Sequence, residues 1–168
     1  QMCIRDRLLN SMNLKRINRT KAAITAVGGY VPDTILSNED LEKMVDTNDA
    51  WITSRTGIQQ RRILKDPNKA TSFLAIEAAQ DLISKYKIKP ESIDMVIVAT
   101  ITPDMQVAAT AAYVASSIGA FNAFAYDLSA ACSGFLYGMS TSAAHIVSGR
   151  YKKILLIGAD KMSSVVDL

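Results

Sequence analysis

Cys132 is the residue of this sequence best placed to act as a nucleophile. It lies in the segment LSAACSGF, between a predicted strand and a predicted helix. A sharp turn there would lift the side chain out of the sheet to a helix N-terminus, where free N–H groups and the helix dipole stabilise a thiolate. Room for a substrate chain is left by small neighbours, Ala130, Ala131, Ser133 and Gly134. The context predicts acyl transfer through a thioester, with the Cys132 N–H contributing to an oxyanion hole.

The alternative interpretation is that Cys132 is a buried structural cysteine that packs as a small apolar residue. A catalytic cysteine usually works with a histidine, and the sequence contains only His145. His145 follows on the same predicted helix, roughly 20 Å away at about 1.5 Å per residue. We therefore expect His145 to be a packing or surface residue. Either Cys132 is not catalytic, or its partner groups lie beyond residue 168.

Composition and charge indicate a soluble globular protein. Hydrophobic residues make up 49% and charged residues 21% of the 168 residues, and the net charge of +3 is too small for a strongly basic nucleic-acid binder. Two cysteines, Cys3 and Cys132, cannot build a disulfide framework, so we predict a reducing, cytoplasmic location. No continuous apolar run reaches the ~18 residues of a membrane span. We also predict no metal site.

Strand and helix patterns alternate along most of the chain. Strands are predicted over residues 21–27, 93–99, 123–128 and 153–157. Helices are predicted from Ser37 onward and over residues 71–86, 107–118 and 132–148, whereas 46–57 is predicted to be irregular. This order predicts an α/β domain with a mainly parallel sheet.

The two ends of the chain carry further expectations. We expect residues 1–11 to be a non-native or disordered tail, with Met12 as the native start. Residues 12–168 are expected to form one domain. The sequence stops soon after a buried-type strand and without an obvious closing element, which predicts truncation at the C-terminus.

The chain resembles β-ketoacyl-ACP synthase III from about Lys21 to Asp167. The resemblance is carried by four segments in the same order: ITAVGGYVPDTILSNEDLEKMVDTNDAWITSRTGIQQRRI, VIVATITPD, LSAACSGF and ILLIGADKMS. It implies the thiolase fold, a layered αβαβα arrangement of two similar halves, of which this chain would be the first only. It also implies a homodimer.

The resemblance further implies a reaction. Cys132 would take an acyl group, expected to be acetyl, from acyl-CoA. The carbanion formed when malonyl-ACP loses carbon dioxide would then attack the acyl-enzyme and give 3-oxoacyl-ACP, which starts fatty-acid synthesis. Acyl-CoA and malonyl-ACP are thus the expected partners, with no permanently bound cofactor, no nucleic acid and no membrane.

The resemblance also assigns residues around the substrate. Trp51 matches the residue that stacks on the adenine of CoA, and Arg55 and Thr47 match positions that contact the nucleotide portion. An aromatic face beside a guanidinium suits an adenine with phosphates. Without the resemblance, Trp51 would more often be a surface-loop residue that covers the core. Val107 matches the residue that enters the acyl pocket of the partner subunit.

Three interpretations of function follow. The first is a condensing enzyme whose histidine and asparagine, needed for decarboxylation, would come from a second half; the 168-residue chain alone is then expected to be inactive. The second is another thiolase-fold acyl-CoA condensing enzyme, similar to hydroxymethylglutaryl-CoA synthase. The third is a CoA- or acyl-binding module without chemistry, in which Cys132 is structural.

Overall fold

A computed structural model describes residues 21–166. The predicted tail over residues 1–11, Cys3 and Met12 lie outside the described residues. The elements follow in the order β1 (Ile35–Ser37), α1 (Asn38–Glu42), α2 (Asp49–Thr56), β2 (Gln60–Arg62), α3 (Thr71–Tyr86), β3 (Met95–Ala99), α4 (Thr110–Ser117), β4 (Phe124–Leu128), α5 (Gly134–Val147) and β5 (Ile154–Gly158). The predicted α/β class is confirmed.

A three-stranded parallel sheet with the order β4-β3-β5 forms the centre of the structure. All five residues of β3 are buried, as expected for a strand that is covered on both faces. Since side chains alternate along a strand, Val96 and Val98 point to one face and Met95 and Ile97 to the other. The register pairs Ala99 at the end of β3 with Leu128 of β4 and Gly158 of β5, so the three strands end at one edge.

Helices α3 and α4 cover one face of this sheet. Val96 and Val98 pack there in a buried cluster with Ala75 and Ala79 of α3 and with Val114 of α4. The helix residues are small, which lets both helices lie close to the strands.

Helix α5 contacts β3 and β5. Two of its glycines lie at this contact and allow the helix to approach the strands closely. A Cβ on Gly138 would overlap the Leu156 side chain, and a Cβ on Gly134 would lie 3.3 Å from Ala99 Cβ. The GxxxG pair therefore serves close packing of α5 on the sheet. The opposite side of the helix is exposed and includes Leu136 and Tyr137.

The residues before α3 form a smaller unit. Strands β1 and β2 pair in antiparallel fashion, with Leu36 opposite Arg61. A capping box between Ser37 and Asp40 starts α1, as the sequence predicted for Ser37. The apolar centre of this unit is a cluster of Leu36, Leu41 and Ile52.

Two predicted segments differ from the structure. The strand predicted over residues 21–27 is wrong: the segment has no strand pairing, and Ile24 and Val27 are exposed. A β-branched run becomes a strand only where another strand pairs with it. The irregular segment predicted over residues 46–57 is wrong as well, because α2 occupies most of it. Asn48 caps this helix through the Trp51 N–H, and Gly57 ends it with a φ of 70°.

The remaining predicted helices and strands are confirmed with small shifts. Thr71–Tyr86 is helical over its whole predicted length. Helix α4 begins at Thr110, three residues later than predicted, and α5 begins at Gly134 and not at Cys132. In the part of the chain that the structure describes, no helix is both long and apolar enough to cross a bilayer.

Candidate functional site

Cys132 lies in the middle of a single 3₁₀ turn, Ala131–Ser133, that joins β4 to α5. The preceding residue in the turn, Ala131, has a φ of 46°, a left-handed conformation that is disfavoured by about 1–2 kcal/mol for a residue with a Cβ. The Cys132 side chain is exposed. This environment contradicts the buried structural cysteine and provides the accessible sulfur that a nucleophile needs.

The position of the Cys132 turn is fixed from both sides. Before the turn, the Leu128 carbonyl accepts a hydrogen bond of 3.1 Å from the Thr100 N–H, which extends the contact between β4 and β3. After the turn, Gly134 brings the start of α5 against Ala99 and Leu128. No side chain caps α5, because its N-cap residue Ser133 makes no such bond. The turn therefore lies between a strand and a helix, as predicted, and the structure places it at the carboxyl edge of the sheet.

A polar cluster holds the loop that follows β3 at the same edge. Asp160 Oδ1, beyond the end of β5, accepts hydrogen bonds of 2.8 Å from Thr100 Oγ1 and from the Ile101 N–H. It also accepts a longer one, 3.3 Å, from Thr102 Oγ1. No local sequence pattern indicates this cluster, because Asp160 lies about sixty residues from its partners.

Lys161 adds a buried ammonium to this edge. Its side chain is only 9% exposed, and Nζ donates to the carbonyl oxygens of Asp66 at 2.8 Å and Lys69 at 2.6 Å. Its backbone N–H donates to Thr102 Oγ1 at 2.9 Å. Lys161 thus connects the segment before α3 with the loop after β3. Sequence reasoning missed this role.

Val107 lies in the same loop and is fully exposed. Asp104 holds the loop on one side, because its Oδ1 accepts a hydrogen bond of 2.9 Å from the Ser72 N–H. On the other side, Asp127 accepts hydrogen bonds of 2.7 Å from the N–H groups of Thr110 and Ala111, at the start of α4. Val107 therefore projects into solvent from a loop that is held at both ends. Its role in a partner's acyl pocket stays a prediction.

The structure brings Thr47, Trp51 and Arg55 together at α2. The Arg55 guanidinium carbon lies 4.9 Å from the centre of the Trp51 ring, and the ring is 54% exposed. Thr47 and Trp51 line a cavity of about 210 Å³ together with Asp46 and Asn48. An exposed indole beside a guanidinium can bind a flat, anionic ligand. The assignment to CoA remains a prediction.

His145 packs in the last turn of α5 with its ring edge-on to Tyr151, 5.4 Å between ring centres. This is the packing role expected from the sequence. Among residues 21–166, no three histidine, cysteine or carboxylate side chains are grouped as metal ligands would be.

Comparison with known proteins gives consistent results. The family described as 3-oxoacyl-[acyl-carrier-protein (ACP)] synthase III matches residues 126–168, which include Cys132. The beta-ketoacyl-[acyl-carrier-protein] synthase III of Chlorobium chlorochromatii is 58% identical over 147 residues, which are 88% of this chain and 45% of that protein.

Two crystal structures have the same fold. The 3-oxoacyl-[acyl-carrier-protein] synthase III from Aquifex aeolicus is 43% identical with a TM-score of 0.81, and the match covers 84% of this chain and 46% of that one. The corresponding enzyme from Thermus thermophilus is 41% identical with a TM-score of 0.82, over 87% and 45%. The predicted thiolase-like fold is confirmed, and the chain spans about half the length of the relatives it matches. By sequence and by fold, the chain is similar to about half of a β-ketoacyl-ACP synthase III.

Proposed function

We propose that the whole protein condenses an acyl group, acetyl first of all, from acyl-CoA with malonyl-ACP. The product would be 3-oxoacyl-ACP, the starting compound of fatty-acid synthesis. The names of the relatives support this reaction. The observation that carries the proposal is the exposed Cys132 in the turn between β4 and α5.

The first half-reaction loads the enzyme. Cys132 Sγ attacks the thioester carbonyl of acyl-CoA, a new carbon–sulfur bond forms, and the bond to the CoA sulfur breaks. The thiol proton of Cys132 ends on the released CoA thiol. Cys132 lies two residues before α5 begins, and the thiolate form of a cysteine is the nucleophile in such a transfer.

The second half-reaction forms the carbon–carbon bond. Malonyl-ACP loses carbon dioxide, and the electron pair of the broken bond attacks the carbonyl of the acyl thioester. The carbon–sulfur bond to Cys132 then breaks, which restores the thiolate and releases 3-oxoacyl-ACP. By resemblance, this step needs a histidine and an asparagine that polarise the malonyl thioester. His145, the one histidine of the sequence, packs against Tyr151, so we expect the 168-residue chain alone to be inactive in condensation.

The geometry around α2 supports a role in holding CoA. In this proposal Trp51 stacks on the adenine, Arg55 contacts the phosphates, and Thr47 completes the nucleotide contact. The exposed ring, the neighbouring guanidinium and the adjoining cavity are consistent with these roles. Acyl-CoA is a substrate, and the proposal includes no permanently bound cofactor.

The proposal extends to assembly and location. Residues 12–168 would form one domain of a cytoplasmic homodimer. Val107 would reach the acyl pocket of the partner subunit, which fits its complete exposure on a loop held at both ends. No nucleic acid or membrane takes part.

The loading step can be tested by intact mass after incubation with acetyl-CoA. We expect one added acetyl group, lost in Cys132→Ala and retained in the matched control Cys3→Ala, which removes the other cysteine. If the folded protein binds CoA but gains no acetyl group, it is a binding module. If it gains the group but its full-length form condenses it with acetoacetyl-CoA and not with malonyl-ACP, it is the hydroxymethylglutaryl-CoA synthase-like enzyme.

A further inference from the structure

Asn38 makes the densest set of hydrogen bonds around α2. Its side chain is 2% exposed. The amide Nδ2 donates to Asp49 Oδ1 at 2.7 Å, to the Ile58 carbonyl oxygen at 2.8 Å and, less closely, to Thr53 Oγ1 at 3.3 Å. The amide Oδ1 accepts a hydrogen bond from Arg61 Nη1. One side chain therefore connects α1 to the start and middle of α2, to the segment after it, and to β2.

These bonds fall on one side of α2. Asp49 and Thr53 are four residues apart and share a face of the helix, where Thr53 Oγ1 also donates to Asp49 Oδ1 at 3.1 Å. At about 100° per residue, Trp51 and Arg55 lie on the opposite side. Asn38 thus holds the inner face of the helix whose outer face presents the indole and the guanidinium.

The partners of Asn38 require an amide. Asp49 and Ile58 present acceptors to Nδ2, whereas Arg61 presents a donor to Oδ1. An aspartate would direct a carboxylate oxygen at the Asp49 carboxylate and at the Ile58 carbonyl. An apolar residue would remove the partner that Asn38 offers to Ile58 and Arg61 and would leave Asp49 Oδ1 with the Thr53 hydroxyl alone. Buried polar groups that lose their partners destabilise the arrangement that holds them. In this protein, the groups that would lose their partners hold α2 at its angle to α1 and β2.

We propose that Asn38 is a positioning residue for nucleotide recognition. It sets the orientation in which α2 presents Trp51 and Arg55, and thereby the affinity for the adenosine 3′,5′-bisphosphate portion of CoA. The pantetheine arm, which carries the thioester, does not depend on it. The inference rests on the proposed function, in particular on CoA binding at Trp51.

Trp51 is the only tryptophan of the sequence, so its fluorescence reports directly on this helix. Adenosine 3′,5′-bisphosphate that stacks on the indole should quench it, and titration gives the dissociation constant. We expect Asn38→Asp to weaken binding by about fivefold, the equivalent of one net hydrogen bond. Thr53→Val, which keeps the shape and removes only the weaker contacts, should weaken it by about twofold. It remains informative if Asn38→Asp does not fold.

The matched control is Asp127→Asn, which also perturbs backbone-directed hydrogen bonds but lies on β4, away from α2. Its affinity for the nucleotide should equal that of the unchanged protein. Equal affinity in folded Asn38→Asp, or equal weakening in Asn38→Asp and Asp127→Asn, would overturn the positioning role. Pantetheine binding, measured by calorimetry, should be the same in all variants, and a loss confined to Asn38→Asp would also contradict the inference.

Failure of the proposed function has a different signature. If Trp51→Ala binds CoA with unchanged affinity by calorimetry, or if the nucleotide leaves Trp51 fluorescence unchanged, CoA is not recognised at α2. The proposed CoA site and the inference on Asn38 are then both overturned. If Trp51→Ala loses affinity while Asn38→Asp and Thr53→Val keep it, the CoA site stands and only the inference on Asn38 is overturned.

Discussion

Asp127 Oδ2 on strand β4 accepts a hydrogen bond of 2.7 Å from the backbone N–H of Thr110, the first residue of α4. Its other oxygen accepts one of the same length from Ala111. A carboxylate at a helix N-terminus satisfies free N–H groups and interacts favourably with the helix dipole. The strand that leads to Cys132 is thereby tied to the helix that follows the Val107 loop.

Replacing Asp127 should therefore destabilise the fold through α4. We expect Asp127→Ala to lower the free energy of unfolding by about 2 kcal/mol, because two part-buried N–H groups lose their acceptor. Urea unfolding measures the change. The control is Asp81→Ala, which removes an exposed acceptor of the Gly29 N–H and should change stability by less than about 0.5 kcal/mol. Equal effects in both variants would contradict the capping role.

Gly138 should not tolerate a side chain. A methyl group there would overlap the end of the Leu156 side chain of β5, so that side chain must leave its present rotamer or α5 must move away from the strand. We expect Gly138→Ala to lower the free energy of unfolding by about 1–3 kcal/mol in spite of the better helix propensity of alanine. Gly29→Ala serves as the control, since no atom lies within 4 Å of a Cβ at that position. An unchanged or higher midpoint for Gly138→Ala in urea would show that α5 does not need this close approach.

Acid should weaken the contact between Asp94 and the turn before β5. The backbone N–H groups of Lys153 and Lys152 donate to this carboxylate and hold the pKa of Asp94 below its ordinary value of 3.8. Because the folded pKa is the lower one, the stabilisation is complete above pH 3.8 and disappears as the pH falls through the folded pKa.

The corresponding test compares the original protein with Asp94→Asn by urea unfolding at several pH values. We expect the original to be the more stable at neutral pH and the difference to shrink below pH 3.8. Lys152→Met is the control. This variant keeps the backbone N–H groups that are the closest donors to Asp94, so its stability should depend on pH as that of the original protein does. A difference that does not depend on pH would refute this explanation.

We expect Lys161 to contribute more to the stability of the fold than an exposed lysine does. Replacement by methionine keeps the apolar stem, but the Lys69 carbonyl loses its ammonium donor and the Asp66 carbonyl keeps only the weaker bond from the Lys69 N–H. We expect a loss of about 1–3 kcal/mol and faster hydrogen exchange at residues 66–70. Lys43→Met, which removes an exposed ion pair with Asp40, should have almost no effect. Unchanged exchange in Lys161→Met would contradict the connecting role.

Local sequence patterns predicted the helices and strands that show a clear apolar spacing or a β-branched run. Thr71–Tyr86 has apolar residues at helical spacing, and Met95–Ala99 is a short β-branched run, so both followed from the sequence. Helix α2 was missed because Ile52 is its only buried residue, which leaves almost no apolar periodicity. Its caps, Asn48 and Gly57, were the available signal.

Long-range contacts could not be predicted in this way. The segment 21–27 has the composition of a strand, but pairing depends on a neighbour elsewhere in the chain or beyond it. The hydrogen bonds of Asn38, Asp127 and Lys161 reach partners between 11 and 95 residues away. For the site, sequence placed Cys132 correctly in the turn before α5, whereas the residues that hold that turn and its neighbouring loops emerged only from the three-dimensional contacts.

The glycines of α5 have a consequence for the chemistry at position 132. Rotating the helix by one residue would place Phe135 or Met139 where Gly134 and Gly138 now meet the sheet, and neither side chain fits there. The rotation of α5 is therefore set by steric exclusion along its length and not by bonds of the Cys132 side chain. The location of the atom that we propose as the nucleophile is thus separable from its identity. Serine or selenocysteine at position 132 would point in the same direction, so such exchanges can compare nucleophiles without altering the geometry of the site.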